Sequence, residues 1–159
     1  MESNTIKILL RKALESDMLK VFELANDPIV RSNSFNKSKI ELEDHKKWFS
    51  KKLSDPNCFF FICEDHQSKQ FIGYVRAEHK DNEWELSIAL SKIYRGKGYG
   101  TQMINDACEQ IKNTNPNSKI IAWVQEKNIG SIKSFNKAGF VQISEKLYDN
   151  QKYLKLSKS

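Results

Sequence analysis

The stretch Arg95-Gly96-Lys97-Gly98-Tyr99-Gly100 constrains this chain most, because it is a glycine-spaced turn that opens directly into an amphipathic helix with Met103, Ile104, Ala107, Cys108 and Ile111 on one face. Glycines let a backbone take left-handed angles and approach a ligand closely, and the first turn of a helix presents unpaired N–H groups carrying partial positive charge. Such a junction is an anion cradle, and its expected guest is a phosphate.

Spacing separates the glycine-rich phosphate loops that compete for this segment. A P-loop needs a lysine and a Ser/Thr after its last glycine, but Gly100 is followed by Thr101-Gln102. The dinucleotide fingerprint needs glycines at the first, third and sixth positions, whereas Gly96, Gly98 and Gly100 fall at first, third and fifth. The pattern that does fit is Arg95-x-x-Gly98-x-Gly100, preceded by the strand-like Leu86-Ser87-Ile88-Ala89-Leu90 and followed by Asn128 and Ala138-Gly139-Phe140. In these features the chain resembles the GNAT family of N-acetyltransferases.

Length and composition agree with one domain over residues 1–159, with 39% hydrophobic and 11% aromatic residues. Met1-Glu2-Ser3-Asn4 lacks a charged-then-apolar targeting pattern and no apolar run is long enough for a bilayer, so the expectation is a cytoplasmic protein without membrane insertion. Cys58, Cys63 and Cys108 are odd in number and lack metal-ligand spacing, which argues against disulfides and a metal site. The net charge of +6 comes from lysines spread along the chain without a dense basic tract. That distribution speaks against a nucleic-acid partner and suits a pocket for pyrophosphate.

Hydrophobic periodicity and breakers predict a strand over Thr5 to Arg11, a helix after Ser16-Asp17 ending at Asp27-Pro28, an irregular stretch from Ile29 to Lys39, and a helix from Glu41 to Leu53. Strands are expected at Cys58 to Glu64, Gln70 to Lys80 and Glu83 to Leu90. A helix follows the glycine turn, then a strand at Lys119 to Val124, a short helix from Asn128 to Ala138 and a closing hairpin after Gly139. This order predicts an α+β fold with a mostly antiparallel mixed central sheet and about four helices. In Glu83 to Leu90, Trp84, Leu86, Ile88 and Leu90 alternate with Glu85, Ser87 and Ala89, giving a core face and a face open to a cleft.

The resemblance implies that the central strands splay and that acetyl-CoA lies between them. Ile88, Ala89 and Leu90 would offer a strand edge to the amide-bearing pantetheine arm. Main-chain N–H groups from Arg95, Gly96, Lys97, Gly98, Tyr99, Gly100 and Thr101 would hold the pyrophosphate, with Arg95 and Lys97 adding charge. Asn128, with Ser131 on the next turn, would reach the pantetheine or simply cap its own helix.

Acetyl transfer to an amine requires that the ammonium lose a proton. Glu85, with Glu78 and His79 behind it, is the candidate base, set against the reading of an ordinary exposed glutamate. Many family members carry a tyrosine four residues before the Gly of Gly-Phe to protonate the departing thiolate; here that residue is Phe135, so solvent, Tyr94, Tyr99 or Tyr148 would have to substitute. Asn26-Asp27, Arg31 and His45-x-x-Trp48-Phe49 resemble, in this order, acetyltransferases acting on the 4-amino group of nucleotide-linked deoxysugars, the pseudaminic-acid branch included. Arg31 would then pair with phosphate, Trp48 or Phe35 would stack, and His45 would bond a sugar hydroxyl; the competing reading makes His45 and Trp48 core residues. Protein N-terminal, ribosomal-protein or small-amine acetylation, or plain acetyl-CoA binding, are the other functions in view. A homodimer is compatible with all of them.

Overall fold

The computed structural model describes residues 6–158 and builds them around one seven-stranded sheet of order β1-β2-β3-β4-β5-β7-β6. The strands are β1 (Ile8–Lys12), β2 (Cys58–Asp65), β3 (Phe71–Lys80), β4 (Glu83–Leu90), β5 (Lys119–Gln125), β6 (Val141–Tyr148) and β7 (Gln151–Lys158). The helices are α1 (Met18–Ala25), α2 (Pro28–Ser32), α3 (Leu42–Ser54), α4 (Tyr99–Thr114) and α5 (Ile129–Lys137). All pairings are antiparallel except β4 with β5. The expected first residue of the opening strand, Thr5, and Met1 to Asn4 lie outside the described residues.

Around β2 and β3 the sheet is covered on both faces, which explains the unbroken apolar run at the start of β2. Phe61 and Cys63 join Val75, Ala77, Trp84 and Leu86 beneath Met103, Ile104, Ala107 and Ile111 of α4. Phe60 and Ile62 point the other way, toward Val21 and Leu24 of α1 and Phe49 of α3. Cys63 and Cys108 are buried free thiols, and burial pushes them up to about 12 and about 11.

α2 corrects the sequence reading. Asp27-Pro28 was expected only to end a helix, and residues 29–39 to be irregular. Instead the Asp27 carboxylate accepts from the N–H groups of Ile29 (2.9 Å) and Val30 (3.3 Å), with Pro28 in the first turn. An Asp-Pro pair can therefore start a helix as well as stop one, since proline loses nothing at a position whose N–H is unpaired anyway. The count rises from about four helices to five α-helices among the described residues. Asp17, expected to cap α1, instead binds Arg11 (2.8 Å) and the Leu14 N–H (2.7 Å).

The parallel pair β4 and β5 positions the cleft. It is joined only at Glu83 with Lys119, Trp84 with Ile120 and Glu85 with Ile121. Beyond Glu85, β4 stays paired to β3 through Leu90, and β5 stays paired to β7 through Gln125, while the two strands no longer pair with each other. A wedge opens in the middle of the sheet. On the far side of β4, a Cβ on Gly73 would run into the Ala89 carbonyl oxygen, so glycine there permits the close approach of β3 to the end of β4.

Candidate active site

A cleft of about 840 Å³ occupies this wedge, within the range of roughly 300–1,000 Å³ usual for small-molecule sites. One end is the glycine turn. Gly96 and Gly98 have φ of 73° and 88°, the left-handed region that favours glycine, and Gly98 caps α4 without help from a side chain. No backbone N–H from Gly96 through Thr101 donates to a partner among the described residues, whereas the Gln102 N–H returns to the Gly98 carbonyl at 3.4 Å. These open donors at the start of a sixteen-residue helix match an oxyanion guest. α5 closes over them: a Cβ on Gly100 would sit 2.9 Å from Ser134 Oγ and 3.4 Å from Leu90 Cδ1.

The expected cofactor residues mostly converge. Ile88, Ala89, Leu90, Arg95, Gly96, Gly98, Gly100, Thr101, Asn128 and Ser131 all line the cleft. Two side chains do not. Tyr99 is buried at 4% exposure, and its hydroxyl accepts the Ile6 N–H at 3.1 Å, which commits the ring to the core. Lys97 is exposed and forms no part of the wall.

Arg95 reaches the wall with its charge already matched. Its Nε donates to the Leu90 carbonyl at 2.9 Å and its Nη2 lies 3.1 Å from Asp27 Oδ1, so it ties the turn to β4 and to the cap of α2. Lysine charge on this part of the wall comes instead from Lys133 and Lys137 of α5, which the sequence reading missed. Asn128 caps α5, accepting the Ser131 N–H at 3.3 Å, while its Nδ2 donates to no described residue.

The other end of the cleft is walled by side chains. Glu85 stands at the neck of the wedge, the last β4 residue paired to β5. Burial raises its carboxyl above the ordinary carboxylate range. The cross-strand Glu78 adds to that rise, and the charges of Arg76, Lys146 and Lys80 oppose it. Glu78 is itself held by Lys52 (3.0 Å) and Arg76 (3.2 Å), whereas Glu85 has no ion pair among the described residues. Of two adjacent carboxylates, one is neutralised and the other is available to take a proton.

Arg31 lines the cleft near Tyr74 and Arg76. Its terminal nitrogens bond Ser38 O (3.2 Å) and Ser34 Oγ (3.0 Å), and its Nε is buried without a partner. Burial lowers its affinity for its proton, and Arg76 acts in the same direction. Trp123, Phe35 and Tyr153 complete this wall, with Phe35 stacked on Tyr153 at 4.2 Å between centroids. A second hollow of about 710 Å³ continues past Phe35 toward Tyr148.

His45 and Trp48 do not come to the cleft. His45 is 2% exposed, packed among Phe22, Trp48 and Phe49, and burial lowers its pKa against a hydrogen bond to the Met18 backbone. Trp48 packs on Phe60 and beneath the Arg76 guanidinium, 4.9 Å from its ring centre. Both pack toward the core from α3, so the His45-x-x-Trp48-Phe49 pattern that resembled a substrate-binding segment reports packing here. Phe135 is buried against Phe140 and lines the cleft. Of the tyrosines weighed as its substitute, Tyr99 is in the core, Tyr94 lines the cleft with its hydroxyl on Gln70 (2.9 Å), and Tyr148 borders the second hollow. Tyr74 and Tyr153 also face the cleft and were not foreseen.

A strand wedge with open edges, ending at a glycine turn and a helix start with open N–H groups, has donors and acceptors of the kind a diphosphate and an amide arm require. The model of the acetyltransferase (GNAT) domain matches residues 7–141, and the chain belongs to that family, whose coenzyme is acetyl-CoA. It is 34% identical over 90 residues, 56% of this chain, to an uncharacterized N-acetyltransferase, YobR, of Bacillus subtilis (strain 168), and that match spans 35% of the relative. Among solved structures it is similar to the spermidine N-acetyltransferase of Vibrio cholerae in complex with CoA and spermine, with TM-score 0.85, 22% identity and coverage of 95% of this chain and 94% of that one. A domain from Methanocaldococcus jannaschii DSM 2661 gives 0.82 at 21% identity, with 97% and 100% covered. At these identities the structural likeness concerns the fold. Among the described residues no helix is long and apolar enough to cross a membrane.

Proposed function

We propose that this protein is an acetyl-CoA-dependent N-acetyltransferase whose acceptor is a primary amine carried by an anionic molecule, with the 4-amino group of a nucleotide-linked deoxyamino sugar as the leading class. The observation that carries the reading is one continuous cleft with open main-chain donors at one end and a half-buried carboxylate, without an ion pair among the described residues, at the other.

When bound, acetyl-CoA supplies an acyl group activated as a thioester. The N–H groups of Gly96 to Thr101 would hold its diphosphate, and the edges of Ile88 to Leu90 and of β5 its amide arm. Glu85 takes the proton from the acceptor ammonium; its raised pKa makes it a better proton acceptor than an exposed glutamate. Alignment of two bound reactants supplies much of the remaining acceleration, worth roughly 7–11 kcal/mol in favourable cases. Departure of the thiolate makes a modest demand, because a thiol of pKa about 8.5 leaves readily. Phe135 therefore does not preclude turnover.

Charge decides the acceptor class. Arg31 and Arg76 border the acceptor wall against Glu85, and Phe35 and Trp123 offer flat faces for a sugar or base. A polycation would meet like charge there, and an anionic amine would not. The fold likeness to a spermidine N-acetyltransferase supports a small-amine alternative. Following CoA release with UDP- and CMP-linked amino sugars and with spermidine tests the choice: the anionic amines should turn over with the higher kcat/KM. Turnover restricted to spermidine would reject the acceptor assignment, and no turnover with any amine would favour a coenzyme-binding module.

A further inference from the structure

An amine of the protein's own stands at the rim of the acceptor end of the cleft, on an exposed strand and outside the lining itself. Lys146 projects from β6, opposite Tyr153 of β7, and its Nζ lies 4.2 Å from the ring centre of Trp123 and 4.7 Å from that of Phe35. Both rings line the cleft. Trp123 is two residues beyond Ile121, the last β5 residue joined to Glu85, so it stands about 6–7 Å up the wedge from that carboxylate's strand position, at the ~3.3 Å rise of a strand.

Lys155 makes the instructive contrast. Its Nζ is also near Trp123, at 5.8 Å, but Glu83 holds it at 3.1 Å. Lys146 has no carboxylate partner among the described residues, and two aromatic faces alone fix its position. Its charge is felt by Glu85.

We propose that Lys146 is a built-in acetyl acceptor, modified on Nζ within the same molecule by the site that acetylates free amines. The inference rests on the reading of Glu85 as proton acceptor. Glu85 takes one proton from the Lys146 ammonium, and the neutral Nζ attacks the thioester carbonyl. An N–C bond forms, the C–S bond breaks, the sulfur leaves with the bonding pair as a thiolate, and the second Nζ proton, released as the amide forms, passes through solvent to complete the CoA thiol. The product is an uncharged Nζ-acetyl-lysine, which no longer makes cation–π contacts with Phe35 and Trp123. Acetylation would thereby reduce the positive charge of the acceptor wall and free both rings for an incoming acceptor.

The test is peptide mass spectrometry of the full chain incubated with acetyl-CoA alone. Lys146 should gain acetyl roughly tenfold or more faster than Lys127, which is likewise exposed and does not line the cleft, at a rate independent of protein concentration, because a tethered amine has a high effective concentration. Lys155 should stay unmodified. Glu85→Gln should slow the Lys146 reaction by about 100-fold while leaving Lys127 unchanged. A readout without acyl transfer accompanies it: CoA itself should protect Lys146, and not Lys127, from an amine-reactive ester. Equal rates at Lys146 and Lys127, second-order dependence on protein, or indifference to Glu85→Gln would overturn the proposal. Loss of free-amine turnover in Glu85→Gln with Lys146 labelling intact would overturn it alone; a protein that does not bind CoA would overturn the parent reading too.

Discussion

The two ends of the cleft are made from different parts of the polypeptide. At the proposed coenzyme end the groups on offer are main-chain: N–H groups left open by Gly96, Gly98 and the start of α4, and strand edges left open where β4 leaves β5. At the proposed acceptor end they are side chains from five separate stretches, Arg31 and Phe35, Arg76, Glu85, Trp123, and Tyr153. Backbone geometry tolerates substitution of everything except the glycines that permit it. A side-chain wall changes chemistry with each replacement, so one end can stay constant while the other sets the substrate.

This contrast breaks most sharply at Glu85. Glu85→Gln should lower kcat roughly 10²–10⁴-fold with CoA affinity unchanged. In the wild type the rate should fall as pH drops through the raised Glu85 pKa, since only the ionised carboxylate accepts a proton, and the variant should lose that acid limb. A variant that loses CoA binding in parallel would erase the division between the ends.

Arg76→Ala should come next. A lost charge-assisted hydrogen bond costs about 1.5–3 kcal/mol, so KM for an anionic amine should rise by roughly 10- to 100-fold while the value for spermidine stays level or improves. Steady-state kinetics with both acceptors separates this from a general defect, because Lys52 continues to hold Glu78.

Gly98→Ala sharpens the other end. At φ 88° a Cβ costs about 1–2 kcal/mol, and the strain should appear as a Kd for CoA about tenfold weaker by calorimetry. The acceptor preference of the residual activity should not change.

The smallest effect concerns neither end. His45 is held neutral by burial, so its folded pKa lies below the unfolded value near 6.5. The unfolded chain binds the proton first as pH falls, and stability that is whole above that value is lost progressively below it. Thermal melts from pH 7.5 to 5 should show the loss in the wild type and a flatter response in His45→Phe.

The same division governs what was legible in the sequence. β4 was bounded at Glu83 and Leu90 as the structure has it, because alternation, a polar turn before it and the glycine turn after it are all local signals. The coenzyme end was legible for the same reason: a run of glycines before an amphipathic helix is contiguous in the chain. Arg95 is the exception there, since nothing local indicates that Asp27, far away in sequence, neutralises it. His45 and Trp48 share a helix with Phe49, and a face of aromatic residues reads alike whether it meets a ligand or a core. Arg76, Trp123, Tyr153 and Lys146 converge only through sheet order and register, which a single sequence does not display. The one signal available for Arg76 was its alternation in phase with Tyr74 and Glu78 along β3.

A titration of the ¹⁵N-labelled protein with CoA, followed by amide NMR, tests the central claim most directly. The account predicts large shifts at the amides of Gly96, Gly98, Gly100 and Thr101, together with Leu86 to Leu90. Pantetheine, which lacks the diphosphate, should move only the strand residues. CoA binding that leaves the four turn amides where they were would contradict it.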